Sequence, residues 1–310
     1  MNTGSSINAH LIDLKKIWDR APHNAMTDLV RFQGRWFCVF REGQDHVSPD
    51  GKIRILVSDK GSRWDPVSLL EIPDHDLRDP KLSITPSGRL MLNAAAAFHP
   101  PVKQKHQSLV WFSENGSQWS PHHKIGEPDC WIWRVTWHNG TAYAVGYTTV
   151  NPLCVRLYSS KDGLQYNRVV DVLVDEDFPN ESTLVFNNDR TALCLVRRDA
   201  GKATALLGHS KPPYTEWSWT DLGLRIGGPN MLILPDTRIV AAIRRYGENP
   251  WTSLNVLDSA RQTLTEFLAL PSGGDTSYAG LCWHEGVLWI SYYSSHEQRT
   301  SVYLAKVKMP

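Results

Sequence analysis

One hairpin unit, written six times along the chain, limits this sequence to very few folds. Each copy is a short apolar strand, a turn rich in Gly, Asn or Asp, and a second apolar strand. The predicted pairs are Thr27–Phe32 with Arg35–Phe40, Lys81–Thr85 with Arg89–Asn93, and Arg134–Trp137 with Thr141–Tyr147. They continue as Thr183–Phe186 with Ala192–Val196, Met231–Leu234 with Arg238–Ile243, and Ala279–Trp283 with Val287–Tyr292. The first strands are predicted to start near Thr27, Asp79, Arg134, Glu181, Asn230 and Tyr278. That period of roughly 50 residues suits propeller blades rather than helical solenoids. No segment sustains the period of about 3.6 residues that a helix needs. The expectation is an all-β chain, with residues 1–310 forming a single six-bladed β-propeller domain.

Third strands add a local signature. Ser113-Glu114-Asn115-Gly116-Ser117-Gln118-Trp119 follows S-x-[DN]-x-G-x-x-W with one residue fewer before the Gly, and Ser160 to Tyr166 does the same with Tyr for Trp. Ser58 to Trp64 fits with its Asp one residue early, and Ser210 to Trp217 is a degenerate copy. In such a turn the carboxylate or amide accepts backbone N–H groups, Gly supplies a positive φ, and the aromatic packs between blades. These turns are structural. Residues 8–19, Asn8 to Asp19, look strand-like and are predicted to close the last blade beside Ser301–Lys308.

Composition removes several function classes. A net charge of +1 over 310 residues gives no field that would gather nucleic acid or an anionic membrane. Cys38, Cys130, Cys154, Cys194 and Cys282 form no CxxC pair, and the 12 histidines show no metal-ligand spacing, so no metal or cofactor is expected. The N-terminal stretch lacks the pattern of a secretion signal and no segment is long and apolar enough to span a bilayer. A soluble cytoplasmic protein is expected.

In a propeller, the starts of the first strands and the ends of the second strands face a shared axial pocket. The predicted second-strand ends are Arg41, Ala94, Tyr147, Arg197, Arg244 and Tyr292. Arg41, Arg197 and Arg244 at equivalent positions would make an anion site, because guanidinium forks suit carboxylates. Pairing with Glu42, Asp199 and Glu248 as rim salt bridges is the alternative. Asp79, Glu181 and Tyr278 are the candidate catalytic groups, since a carboxylate beside a phenol can take its proton and activate it. On the polar loop Glu42 to Gly51, Asp45 or His46 could overhang the pocket as an acid/base. Arg78, Trp131, Trp133, Arg134 and Asn230 complete the expected lining.

Two stretches carry a resemblance to a known family. Asn180-Glu181-Ser182-Thr183-Leu184-Val185 with Arg197, and Thr276-Ser277-Tyr278-Ala279-Gly280-Leu281, resemble the Glu and Tyr strands of the sialidase (neuraminidase) superfamily. Those six-bladed propellers carry the S-x-[DN]-x-G-x-x-W turns as Asp-box, or BNR, repeats. The resemblance implies an exo-glycosidase in which Tyr278 attacks the anomeric carbon, Glu181 is its base, Arg197 holds a substrate carboxylate, and Asp45 is the acid/base. It also implies an acidic glycan or glycoside as the partner. The family's first-blade Arg would fall in Asn24-Ala25-Met26-Thr27 and its blade-five Arg in Gly228-Pro229-Asn230, and neither stretch has one. Its late Tyr-Glu pair is Tyr292-Tyr293 here. The expected function is therefore a sialidase-like hydrolase for sialic acid or a related ulosonic or uronic acid. A polysaccharide lyase, a paired-carboxylate glycosidase using Asp79 and Glu181, and a non-catalytic glycan-binding propeller are the alternatives on this scaffold.

Overall fold

A computed structural model describes residues 9–100 and 102–309. Among these residues are 24 strands, numbered β1 to β24 in chain order, and no helix. They form six four-stranded antiparallel sheets, arranged as a six-bladed propeller. Five blades run in simple chain order from the axis outward. The sixth is composite: β22 (Thr276–His284), β23 (Val287–Ser294) and β24 (Ser301–Lys308) are followed at the outer edge by β1 (His10–Trp18). β1 pairs antiparallel with β24 from His10 opposite Lys308 to Trp18 opposite Val302. Of the segment predicted to close the ring, Asn8 lies outside the described residues.

The core is divided into wedges between neighbouring blades. Phe37, Val39 and Ile55 of blade one meet Leu77, Leu92 and Trp111 of blade two. Trp36 of blade one stacks on Trp289 of blade six at 4.1 Å, so the wedge between the first and last blades carries its own buried cluster. Alternation of large apolar residues along each strand puts one face of a sheet into each wedge. The turn serines also serve structure: Ser113 Oγ and Ser160 Oγ accept the N–H groups of Gly116 and Gly163 at 2.8 and 2.9 Å. Asn115 and Asp162 cap the backbone that follows. All five cysteines are free, four buried and Cys282 half-buried.

The inner strands begin before their predicted starts: β2 (His23–Phe32), β6 (His75–Ile84), β10 (Cys130–His138), β14 (Pro179–Phe186), β18 (Gly227–Ile233) and β22. Each contains a bulge at the same depth. Pairing breaks between Ala25 and Asp28, Arg78 and Lys81, Ile132 and Arg134, Pro179 and Ser182, Gly227 and Asn230, and Ser277 and Gly280. A bulge leaves an unpaired residue and re-aims its side chain. Met26, Asp79, Trp133, Glu181, Gly228 and Tyr278 sit in these six gaps. Met26, Asp79 and Tyr278 take positive φ of 63°, 52° and 49°, uncommon for such residues and a mark of backbone held by its surroundings.

Candidate active site

At the axis, the bulge residues Met26, Trp133 and Tyr278 join Ala25, Ala95, Trp131 and Tyr293 in a seventh buried cluster. Tyr278 is its chemical centre. Its hydroxyl donates to Glu181 Oε1 at 2.5 Å and accepts from Arg197 Nη1 at 3.1 Å. Glu181 Oε2 takes the Gly228 N–H at 2.7 Å and Arg197 Nη1 at 2.7 Å. The Arg244 guanidinium lies 5.1 Å from the Tyr278 ring centroid, and Trp133 meets that ring edge-on at 5.5 Å. Burial, then the Glu181 carboxylate, push the Tyr278 phenol well above its ordinary range, with Arg197 and Arg244 opposing. The phenol is therefore protonated at rest, with its proton aimed at a carboxylate.

Gly228 fixes this geometry. Its φ is +54°, and a Cβ there would lie 2.7 Å from Tyr278 Cδ2. Gly228→Ala should cost about 1–3 kcal/mol from backbone strain and overpacking. It should also push the phenol off Glu181. A thermal melt together with the crystallographic Tyr278–Glu181 distance checks both, and an unshifted ring would contradict the expectation.

Asp79 and Lys81 flank the floor. Asp79 is 5% exposed, and its Oδ1 has no hydrogen-bond partner among the described residues. Burial pushes its carboxyl upward, while Lys81 and Arg78 pull it down. Lys81 is also buried, 4.8 Å above the Trp133 ring, and its one hydrogen bond is to the Pro80 carbonyl at 3.4 Å. Burial lowers its pKa to about 8, with Asp79 opposing. Below about pH 8 both folded and unfolded chains hold this proton and the full cost of burying it is present. Between there and the ordinary 10.5 only the unfolded chain holds it, so stability rises with pH through that window. Lys81→Met should remove this rise and increase stability at pH 7; urea midpoints at pH 7 and 10 for both proteins measure it.

The other predicted lining residues are placed differently. Arg41 is fully buried, with Nε 2.6 Å from Asp76 Oδ1, and cannot meet a ligand. It donates to the carbonyls of Asp45 and Ser48 and to Ser48 Oγ. Arg78 binds the other Asp76 oxygen at 3.1 Å and the His46 carbonyl at 2.6 Å. Asp76 thus ties two arginines into a clamp that shapes the loop after β3 (Arg35–Gly43). Gly51 closes that loop against the clamp, where a Cβ would fall 1.7 Å from Asp76 Oδ1. The Asp45 side chain is exposed and makes no hydrogen bond among the described residues, whereas His46 Nδ1 lies 2.7 Å from Asp275 Oδ2.

Arg134 and Asn230 fall beyond their bulges. Arg134 forms a bidentate pair with Asp28 at 2.9 and 3.1 Å, further along the channel, and Asn230 donates to the Ala279 carbonyl. Both line a cavity with Asp28, Leu184 and Leu281, past the bulges and outside the Tyr278 cluster. Tyr292 points into the wedge between blades five and six and bonds the Pro271 carbonyl. Its neighbour Tyr293 faces the site instead, donating to Asp275 Oδ1 at 2.7 Å. Trp131 joins the axial cluster but stacks on Tyr147 and is 6% exposed, which leaves little ring face for a sugar.

Each site arginine has an acidic partner, contrary to the expectation of unneutralised guanidinium groups. Arg197 meets Glu181 and Asp199, and Arg244 meets Asp275 at 3.2 Å. The expected partners Glu42 and Glu248 are not those acids: Glu42 pairs with Arg54. Sequence reading also missed Asp275, His23, Tyr293, Lys81 and Gly228. Asp275 three residues before Tyr278 was the available signal. His23 Nε2, His46 Nδ1 and Asp275 Oδ2 lie within 4.8 Å of one another, a spacing a divalent cation could use. Both ring nitrogens already hydrogen-bond the carboxylate, and the Arg244 cation beside it opposes a second positive charge.

No family model matches the chain, and no curated protein matches it. Solved structures match its fold. A protein of unknown function from Dyadobacter fermentans has a TM-score of 0.86 at 17% identity, covering 97% of this chain and 99% of that one. A Penicillium chrysogenum α-L-arabinanase complexed with arabinobiose matches with TM-score 0.74 at 13% identity, covering 96% and 98%. A mutant Trypanosoma rangeli sialidase displaying trans-sialidase activity matches with TM-score 0.72 at 9% identity. That match covers 96% of this chain but 58% of that one. At these identities the likeness is one of fold. The propeller is thus a fold this chain shares with glycoside hydrolases of differing specificity.

Proposed function

We propose that the protein is a retaining exo-glycosidase for a terminal sugar bearing one carboxylate, with Tyr278 as nucleophile. The observation that carries this reading is the Tyr278 hydroxyl held between Glu181 at 2.5 Å and Arg197 at 3.1 Å on an axial bulge. As Tyr278 Oη bonds the anomeric carbon, its proton passes to Glu181, and Arg197 and Arg244 stabilise the charge that develops on oxygen. A tyrosine in place of a carboxylate nucleophile departs from the usual paired-carboxylate scheme and suits an anomeric centre that carries its own negative charge.

The arginines beside Tyr278 suit a substrate carboxylate. Arg41 and Arg78 share Asp76, Arg197 pairs with Glu181 and Asp199, and Arg244 pairs with Asp275. Asp79 is a further acid, its carboxyl pushed up by burial against Lys81 and Arg78. Arg244 Nη1 makes no hydrogen bond among the described residues, and its guanidinium lies 5.1 Å from the Tyr278 ring centroid. Asp79 Oδ1 and the indole N–H of Trp133 are buried beside Tyr278 without partners among the described residues.

The test is covalent labelling. A fluorinated acidic glycosyl fluoride should label the protein at Tyr278, read by peptide mass spectrometry, after a screen of acidic and neutral aryl glycosides has found the sugar. A label on Asp79 or Glu181 would instead establish the paired-carboxylate mechanism. Turnover of arabinosides but no acidic glycoside would remove the carboxylate requirement. Saturable binding of an acidic glycan without product would make the propeller a lectin.

A further inference from the structure

The mechanism above lacks a group to protonate the departing oxygen, and resting on that reading we infer that His46, oriented by Asp275, is the acid/base residue of this site. A leaving group exits toward solvent, so its proton donor must stand at the mouth. His46 meets this: its side chain is 44% exposed on the loop following β3, and its partner Asp275 also bonds Arg244 and Tyr293, both beside the Tyr278 ring. Asp79, by contrast, is 5% exposed.

The loop is built to present this ring. Arg41 pins the Asp45 carbonyl at 2.7 Å, Arg78 pins the His46 carbonyl at 2.6 Å, and Asp76 holds both arginines from behind. Nδ1 of His46 meets Asp275 Oδ2 at 2.7 Å, so Nδ1 donates and Nε2 is left as the working atom. Asp275 is suited to orienting rather than donating. Its Oδ2 also accepts His23 Nε2 at 3.1 Å, and its Oδ1 accepts Tyr293 and Arg244. Burial pushes its carboxyl up, but hydrogen bonds from His23, His46 and Tyr293 hold it well below the usual range. It stands three residues before Tyr278, immediately ahead of β22, which ties the acid's partner to the nucleophile's strand.

The other charged and titratable groups around the ring are consistent with this role. His23 stands edge-on at 5.3 Å, Arg244 lies across Asp275, Arg78 lies behind the His46 carbonyl, and the field of His46 reaches Asp79. In the first step the glycosidic C–O bond breaks and its oxygen takes the Nε2 proton, while Tyr278 Oη bonds carbon and yields its proton to Glu181. In the second, water adds to that carbon and passes a proton to His46 Nε2. Tyr278 leaves and recovers its proton from Glu181, so the enzyme returns unchanged.

His46→Ala tests this, with aryl glycosides of the cleaved sugar spanning good and poor leaving groups. Dinitrophenolate needs no protonation, so formation of the glycosyl-enzyme from that substrate should fall less than about tenfold. Substrates with alcohol leaving groups should fall about 10²–10⁴-fold, the range for a lost acid. The high-pH limb of kcat/KM should vanish, and azide should restore turnover of the activated substrate with a glycosyl azide as product. An equal loss across the series, with the limb retained, would overturn the assignment while leaving Tyr278 labelling intact. A wild-type protein that cleaves no glycoside would overturn both readings. Two further measurements bear on it without relying on the variant. Nitrogen-15 NMR of the wild type should show neutral His46 protonated at Nδ1, and protonation at Nε2 would refute orientation by Asp275. Chelation with EDTA should leave turnover unchanged, and its loss would reassign His23, His46 and Asp275 to a metal.

Discussion

Tyr278→Phe should abolish turnover while leaving the fold standing. The substitution removes one oxygen, and Glu181 keeps Gly228 and Arg197 as partners, so no buried charge is orphaned and the melting temperature should move little. Glu181→Gln should lower kcat by about 10²–10⁴-fold, the usual worth of a general base. The informative protein is the double variant. Two residues acting on one proton form a unit, and losses within a unit do not add. Tyr278→Phe with Glu181→Gln should therefore be no slower than the worse single variant. Multiplying losses would show that the two act in separate steps, and substantial residual activity in Tyr278→Phe would show that another group attacks carbon.

Deleting residues 1–19 should prevent stable folding. The deletion removes the outer strand of blade six and exposes the β24 edge along its length. It also removes Trp18, 5% exposed, from the cluster containing Trp36, Trp289, Val302 and Leu304. Loss of a buried Trp alone costs about 3–5 kcal/mol, against a total stability of about 5–15 kcal/mol for a typical protein. An unpaired apolar edge then recruits other chains. Size-exclusion chromatography should show species larger than the full chain's, and a synthetic peptide of residues 9–19 supplied in trans should restore the full chain's elution. A truncated chain that elutes as the full chain does, with an unchanged melting temperature, would show that the closure contributes little.

The hairpin repeat made the architecture legible because a propeller repeats the same alternation in every blade. What alternation does not reveal is a single inserted residue. The bulges shift the side-chain phase midway along the inner strands, so Arg134 and Asn230 fall just past the break while Trp133 and Gly228 lie within it. The same phase problem on β23 separates Tyr292, in the wedge, from Tyr293, at the site. Asp79, Glu181 and Tyr278 were legible because each is a titratable residue at the predicted start of an inner strand, and each sits in its blade's gap. Arg41 illustrates a second limit. Local sequence showed an arginine after an apolar run, but the acid that neutralises it, Asp76, comes from the next blade. The pairing is tertiary and leaves no periodic trace.

The six bulges bear on how such a protein can change over evolutionary time. A residue in a bulge stands outside the hydrogen-bonded ladder, so its side chain carries less of the pairing of its blade than its neighbours do. Met26, Asp79, Trp133, Glu181 and Tyr278 therefore behave as sockets around one axis, where side chains can change with the strand pairing kept. Gly228 is the exception, because its positive φ and the Tyr278 ring leave no room for a Cβ.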